Sequence, residues 1–80
     1  MNVAARRYIA ERFLLPSAVR NGGLTTAQVY GGKYPVPLSV IDEELGAMRR
    51  EGILGYAQLW FLRGVSARHL LESIRKESST

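Results

Sequence analysis

The sequence predicts a single, mainly α-helical domain that contains one small β element. Residues 36–54 predict an amphipathic helix, because apolar side chains recur there at helical spacing and form one stripe. These side chains are Leu38, Ile41, Leu45 and Met48. Residues 53–63, which follow directly, are apolar and rich in side chains that favour β-strands. The length of 80 residues and the hydrophobic fraction of 46% suit one folded domain with a single core.

The composition limits the classes of function. A net charge of +4 and a pI near 10.0 indicate polyanions as partners. Because the chain has no cysteine, disulfides, thiolate metal sites and cysteine nucleophiles are excluded. No apolar run approaches membrane-spanning length, and no signal-peptide pattern follows Arg6 and Arg7, so we expect a cytoplasmic protein without a membrane partner.

Residues 2–15 predict the first helix, and Pro16 is expected to end it. The inward side of this helix should carry Val3, Tyr8, Ile9 and Phe13, and its outward side Arg6, Arg7 and Arg12. The connection after this helix is expected to end at Asn21-Gly22-Gly23, which is a strong turn signal.

Residues 24–31 predict a short second helix. We expect a short extended segment at Leu24, a threonine cap, and an end at Gly31 and Gly32. The next four residues, 33–36, form a turn that is stiff because two prolines lie within three positions.

Residues 37–51 predict the third helix. It begins either at Pro37, which suits a first helical position, or at Ser39, which forms a capping-box pattern with Asp42. Acidic side chains lie near its start and basic ones near its end, which favours the helix dipole. These are Asp42, Glu43 and Glu44, followed by Arg49 and Arg50. Gly52 is a natural end of the helix.

The last third of the chain predicts a β element and a further helix. Residues 53–63 form either one strand or a tight hairpin with its turn at 55–58. Gly64 ends this element, and residues 65–77 predict a C-terminal helix capped by Ser66. Its inward stripe contains Leu70, Leu71 and Ile74.

The order of these elements resembles the winged helix-turn-helix superfamily. Residues 2–63 follow its succession of helix, short strand, two helices and β wing, and the more specific part is 24–62. The expected fold is therefore a winged helix-turn-helix, mainly α with a small β wing, to which a C-terminal helix is added. The resemblance implies a small regulator that binds duplex DNA.

Laid on this pattern, several polar and basic side chains are candidate DNA contacts. The second helix would hold phosphate through its first residues, and the turn after it would lie beside that contact. Arginines would supply the positive charge that attracts the phosphates. These candidates are Thr25, Thr26, Gln28, Lys33, Tyr34, Ser39, Arg49, Arg50 and Arg63. The start of the third helix departs from the pattern, since Asp42 and Glu43 repel phosphate and only Ser39 there suits a base or phosphate.

These departures keep a second function open. An adaptor or inhibitor of phage or plasmid type would bind a protein through the apolar wing, with Tyr56 and Trp60 as anchors. An enzyme is a distant third, because no catalytic set can be assembled and His69 stands alone. We accordingly expect no catalytic residue, no metal site and no cofactor.

The apolar stripe of the C-terminal helix predicts a homodimer. Small winged helix regulators usually pair through terminal helices, so Leu70 and Ile74 are the expected seam. A monomer that folds its terminal helices onto its own wing would satisfy the same stripe.

Overall fold

The computed structural model describes residues 1–78, which form a mainly helical fold with one small antiparallel sheet. The coarse fold class predicted from the sequence is thereby confirmed. In chain order the elements are α1 Val3–Arg12, α2 Pro16–Asn21, α3 Thr26–Tyr30, α4 Leu38–Arg50, β1 Leu54–Tyr56, β2 Trp60–Leu62 and α5 Ala67–Ser78. No helix within residues 1–78 combines the length and the apolar character needed to cross a membrane.

The first predicted helix, 2–15, is shorter in the structure, where α1 spans Val3–Arg12, and the predicted connection after it contains a second helix, α2. Asn2 caps α1 by accepting the Ala5 N–H at 3.0 Å, and the helix ends at Arg12. Pro16 was expected to end a helix, but it begins α2. A proline is tolerated at a first helical position because the N–H that it lacks would have no partner there.

Helix α1 is the element against which the others pack. It contacts α3, α4 and α5, and its inward residues Ala5, Ile9 and Ala10 are fully buried. The remaining core comes from α2, α3, α4, β1, α5 and the connections. Its members are Phe13, Ala18, Leu24, Val29, Ile41, Leu45, Met48, Leu54, Ala67, Leu70 and Ile74.

Helix α5 packs on α1 within the same chain. Leu70 and Ile74 are 6% and 2% exposed, so both belong to the core of the monomer. This arrangement differs from the predicted dimer seam, which requires these side chains to be free for a second copy. It matches the monomeric alternative in part, since α5 covers α1 instead of covering the hairpin.

Arg6 is buried, although the helical pattern predicted an outward side chain. Its Nε donates to Glu44 Oε2 at 2.6 Å, and Nη1 and Nη2 donate to the two carboxylate oxygens of Glu51 at 3.1 and 2.7 Å. Glu44 is only 5% exposed and also accepts the Asn2 N–H at 3.0 Å. A buried guanidinium needs such partners, because an unpaired charge in the interior is strongly destabilising.

Of the two starts that the sequence allowed for the third helix, the capping box of Ser39 and Asp42 is absent, and α4 begins next to Pro37, at Leu38. Its N-cap is Pro37, whose carbonyl accepts the N–H groups of Val40 and Ile41. Asp42 instead accepts a hydrogen bond from the Tyr30 hydroxyl on α3. The predicted end is confirmed, since Gly52 has a φ of 79° and the next N–H returns to the Met48 carbonyl at 3.0 Å.

The β element is a hairpin, one of the two forms that the sequence allowed. Tyr56 pairs with Trp60 beside the turn, and Leu54 pairs with Leu62 at the open end. An isolated bridge joins β2 to the segment before α3: Leu24 N–H donates to Trp60 O at 2.9 Å, and Trp60 N–H donates to Leu24 O at 2.7 Å. The start of α3 is thereby fixed against the hairpin.

We predict that Glu51 makes the fold sensitive to acid. The hydrogen bond from Arg6 lowers the pKa of Glu51 below its ordinary value of 4.5, so the ion pair stabilises the folded chain above that pH. This stabilisation should be lost as pH falls through the lowered pKa of the folded state. Thermal unfolding followed by circular dichroism between neutral pH and about pH 3 measures the effect.

The variants Glu51→Gln and Glu43→Gln separate this ion pair from general acid effects. Glu51→Gln should flatten the dependence of the melting temperature on pH, whereas Glu43→Gln should not, because Glu43 forms no salt bridge within residues 1–78. Equal profiles for the two variants would contradict the role given to Glu51.

We also predict that Gly23→Ala destabilises the fold. A Cβ at this position would overlap the carbonyl oxygen of Trp60, which is backbone and accepts the Leu24 N–H. Displacing that carbonyl should cost about 1–3 kcal/mol of unfolding free energy, measured by urea denaturation. Gly32→Ala is the control, since no atom lies within 4 Å of its added Cβ, and an equal loss there would refute the explanation.

Candidate nucleic-acid interface

One continuous surface runs from the start of α3, across the hairpin, to the last turn of α4. The rings of Tyr56 and Trp60 lie 4.9 Å apart between centroids, and the Arg49 guanidinium carbon lies 5.7 Å from the centroid of the Tyr56 ring. On the other side, Trp60 Nε1 donates to Thr26 Oγ1 at 2.9 Å. We call these four residues, Thr26, Arg49, Tyr56 and Trp60, the hairpin strip.

The backbone explains why these four side chains meet. Tyr56 and Trp60 are paired across the hairpin, and directly opposite residues of an antiparallel pair share one face. Only Glu51, Gly52 and Ile53 separate α4 from β1, so the last turn of α4 stays beside Tyr56. The bridge between Leu24 and Trp60 brings the start of α3 to the opposite side of the indole.

The predicted phosphate contacts on α3 also form its cap. Thr25 Oγ1 accepts the Gln28 N–H at 3.2 Å, and Gln28 Oε1 accepts the Thr25 N–H at 2.9 Å. Because Thr25 and Thr26 use their oxygens as acceptors for Gln28 and Trp60, both hydroxyl protons can still be donated. Phosphate oxygens accept hydrogen bonds. The two threonine hydroxyls can therefore donate to a phosphate while they keep their contacts with Gln28 and Trp60.

The three carboxylates near the start of α4 differ in exposure, because Glu44 is buried whereas Asp42 and Glu43 are exposed. Glu44 turns inward to Arg6, and Asp42 is bonded to the Tyr30 hydroxyl. That bond to the Asp42 carboxylate raises the pKa of Tyr30 to about 12. Glu43 and Ser39 remain exposed at the start of the helix.

Two predicted DNA contacts, Arg50 and Arg63, lie outside the hairpin strip. Arg50 folds over Gly46, where an added Cβ would lie 3.3 Å from Nη1, and lines an open groove with Glu43. Arg63 lies at the open end of the hairpin, beside Gly52. Of the three predicted arginines, only Arg49 contacts the aromatic rings of the hairpin.

Lys33 and Tyr34 lie against α1 and line a second surface. The ring of Tyr34 meets that of Tyr8 edge to face, with centroids 6.5 Å apart. Together they line an open concavity of about 450 Å³, which we call the tyrosine cleft. Its lining includes Arg7, Tyr8 and Glu11 of α1 and Lys33, Tyr34 and Pro35 of the following loop. The sequence assigned Tyr8 to the core and gave no sign that α1 approaches this loop.

Residues 1–78 contain no group of three histidine, aspartate or glutamate side chains placed to hold a metal ion. His69 is exposed on α5. Its backbone N–H donates to Ser66 Oγ, which forms the predicted cap of the helix. No known protein-family model, no curated protein and no solved structure matches this chain. Inferences about function therefore come from the chemistry of its two surfaces.

We predict that Thr26→Val weakens the attachment of the hairpin to α3. The substitution keeps the shape of the side chain but removes the acceptor of the Trp60 indole N–H, which is partly buried. The expected cost is about 1 kcal/mol of unfolding free energy, with a change in tryptophan fluorescence that reports the altered indole environment. Thr26→Ser retains the hydroxyl and should behave like the parent, whereas a loss equal to that of valine would contradict the hydrogen-bond explanation.

Proposed function

We propose that this chain is a winged helix regulator that binds duplex DNA through the hairpin strip. The observation that carries the proposal is the double attachment of Trp60. Its backbone pairs with Leu24 before α3, and its side chain bonds to Thr26. A hairpin that follows the second of two docked helices and pairs with a short segment before the first has the connectivity of a β wing.

The chemistry of the hairpin strip supports a contact with phosphates. Arg49 is exposed and carries a charge that no carboxylate of residues 1–78 neutralises in a salt bridge. Thr25 and Thr26 offer hydroxyl protons at one end of the strip, and the guanidinium lies at the other. Phosphate contacts of this kind position a protein on duplex DNA and provide most of its salt-dependent affinity.

The same geometry argues for weak reading of base sequence. The exposed start of α4 offers Ser39 and Glu43, while Arg49 lies at the opposite end of the helix, which is 13 residues long. We therefore propose an architectural or weakly selective DNA binder that uses the hairpin side of α4. The proposal does not include a dimer seam on α5, because Leu70 and Ile74 lie inside the monomer.

The exposed aromatic pair favours a protein partner as the second candidate. Tyr56 is 42% exposed and lies against Trp60 with the two ring planes at 53°, and paired aromatic residues of this kind are frequent anchors of protein interfaces. In that case the hairpin strip would be the docking surface of an adaptor or inhibitor, and Arg49 would form part of its polar rim.

Titration of duplex DNA at increasing salt tests the proposal. The parent chain should bind at low salt and weaken steeply, because counterions released from phosphates drive the association. Arg49→Gln should reduce the slope of log affinity against log salt by about 0.9, the value of one lost phosphate contact. Arg20→Gln on α2 is the control, since it removes the same charge from an exposed position that has no contact with the strip.

The outcomes separate the two candidates. Equal slopes for Arg49→Gln and Arg20→Gln would remove the hairpin strip from the DNA interface. A complete lack of duplex binding at low salt, together with a protein partner that is lost in Tyr56→Ala, would favour the adaptor.

A further inference from the structure

The tyrosine cleft is a second surface with its own chemistry. It opens between α1 and the loop before α4, and its volume of about 450 Å³ lies in the range of small-ligand sites. Arg7, Tyr8, Lys33 and Tyr34, which give it its character, are not part of the hairpin strip. A ligand of the cleft would therefore use contacts that the proposed duplex interface does not need.

One of the two rings of the cleft, that of Tyr8, is held in place by a hydrogen bond. The Tyr8 hydroxyl donates to the Tyr30 carbonyl at 2.5 Å, and the Arg12 guanidinium carbon lies 6.0 Å from the Tyr8 ring centroid. Arg12 is itself fixed, because its Nε and Nη2 donate to the Gln28 carbonyl at 3.0 and 2.8 Å. Tyr34 rests edge to face on this support, so ordering its ring on binding costs little side-chain entropy.

Tyr34 still offers an open aromatic surface to solvent. Its side chain is 42% exposed, although it belongs to a packed pair of rings. A tyrosine held in this way can stack against a flat aromatic ligand, and nucleobases are the common biological ligands of this kind.

The charges beside the ring favour an anion. Arg7 and Lys33 are exposed and form no salt bridge with any residue of the described range, while Glu11 is the carboxylate of the lining. A ligand that joins a flat aromatic ring to a negative group therefore complements the cleft, and a nucleotide unit has both parts.

We propose that the tyrosine cleft binds single-stranded nucleic acid, with one base stacked on Tyr34 and the adjacent phosphates held by Arg7 and Lys33. The base must be unpaired, because a base inside a duplex is stacked on its neighbours and cannot present its face to a side chain. The open shape of the cleft lets a strand pass through it, whereas a free mononucleotide would be poorly enclosed. This inference goes beyond the duplex proposal and does not rest on it.

The test measures fluorescence anisotropy of a labelled thymidine hexanucleotide with the parent chain and four variants. Tyr34→Leu removes the aromatic face and should weaken binding about tenfold, and Tyr34→Phe should bind like the parent. Val19→Ala is the control, because Val19 is an exposed apolar side chain on α2 that belongs to neither the cleft nor the hairpin strip. It should leave hexanucleotide binding unchanged. Arg7→Gln should reduce the salt slope for the single strand by about 0.7.

Competition experiments decide between the stacked strand and simpler explanations. An abasic phosphate chain of the same length should compete poorly, and equal competition would overturn the proposal by showing that charge alone drives binding. Thymidine monophosphate that competes as well as the hexanucleotide would overturn it in favour of a mononucleotide pocket. Unchanged affinity in Tyr34→Leu would also overturn it. Absence of duplex binding by the parent chain at low salt, with hexanucleotide binding that still depends on Tyr34, would refute only the duplex proposal.

Discussion

A guanidinium group that is almost removed from solvent has to be neutralised where it lies, and Arg6 is in this position between α1 and α4. Glu44 meets it from the interior side, and Glu51 meets it from the end of α4 with both carboxylate oxygens. The contacts of Arg6 with Glu44 and Glu51 fix the position of α4 along α1. The register matters for everything that follows, because the end of α4 determines where the hairpin starts.

The hairpin is positioned at its other side by Trp60. Its backbone pairs with Leu24, and its indole donates to Thr26, so two hydrogen-bonded contacts join β2 to the start of α3. Three residues connect α4 to β1, so the hairpin is joined to α4 through the chain. The hairpin therefore links the long helix α4 to the short helix α3. The exposed result of this closure is the hairpin strip, in which an arginine, two aromatic rings and a threonine hydroxyl lie side by side.

Two basic and aromatic surfaces therefore exist on one small chain. The hairpin strip combines its guanidinium with hydroxyl donors, a combination that suits the phosphates of a duplex. The tyrosine cleft combines its cations with an exposed ring, which suits an unpaired base. Arg6 pairs with two of the seven carboxylates of the chain. These two carboxylates therefore do not neutralise the cations of either surface.

Local patterns in the sequence were enough for most elements. The stripe from Leu38 to Met48, the stop at Gly52, the cap at Ser66 and the apolar run before Gly64 each act over a few residues. The sequence could not reveal the partners of residues that are distant in the chain. Arg6 was assigned to solvent because its carboxylates lie 38 and 45 positions away, and Leu70 was assigned to a dimer because nothing local shows that α1 covers it. The tyrosine cleft depends on an equally distant approach, so only tertiary packing could decide it.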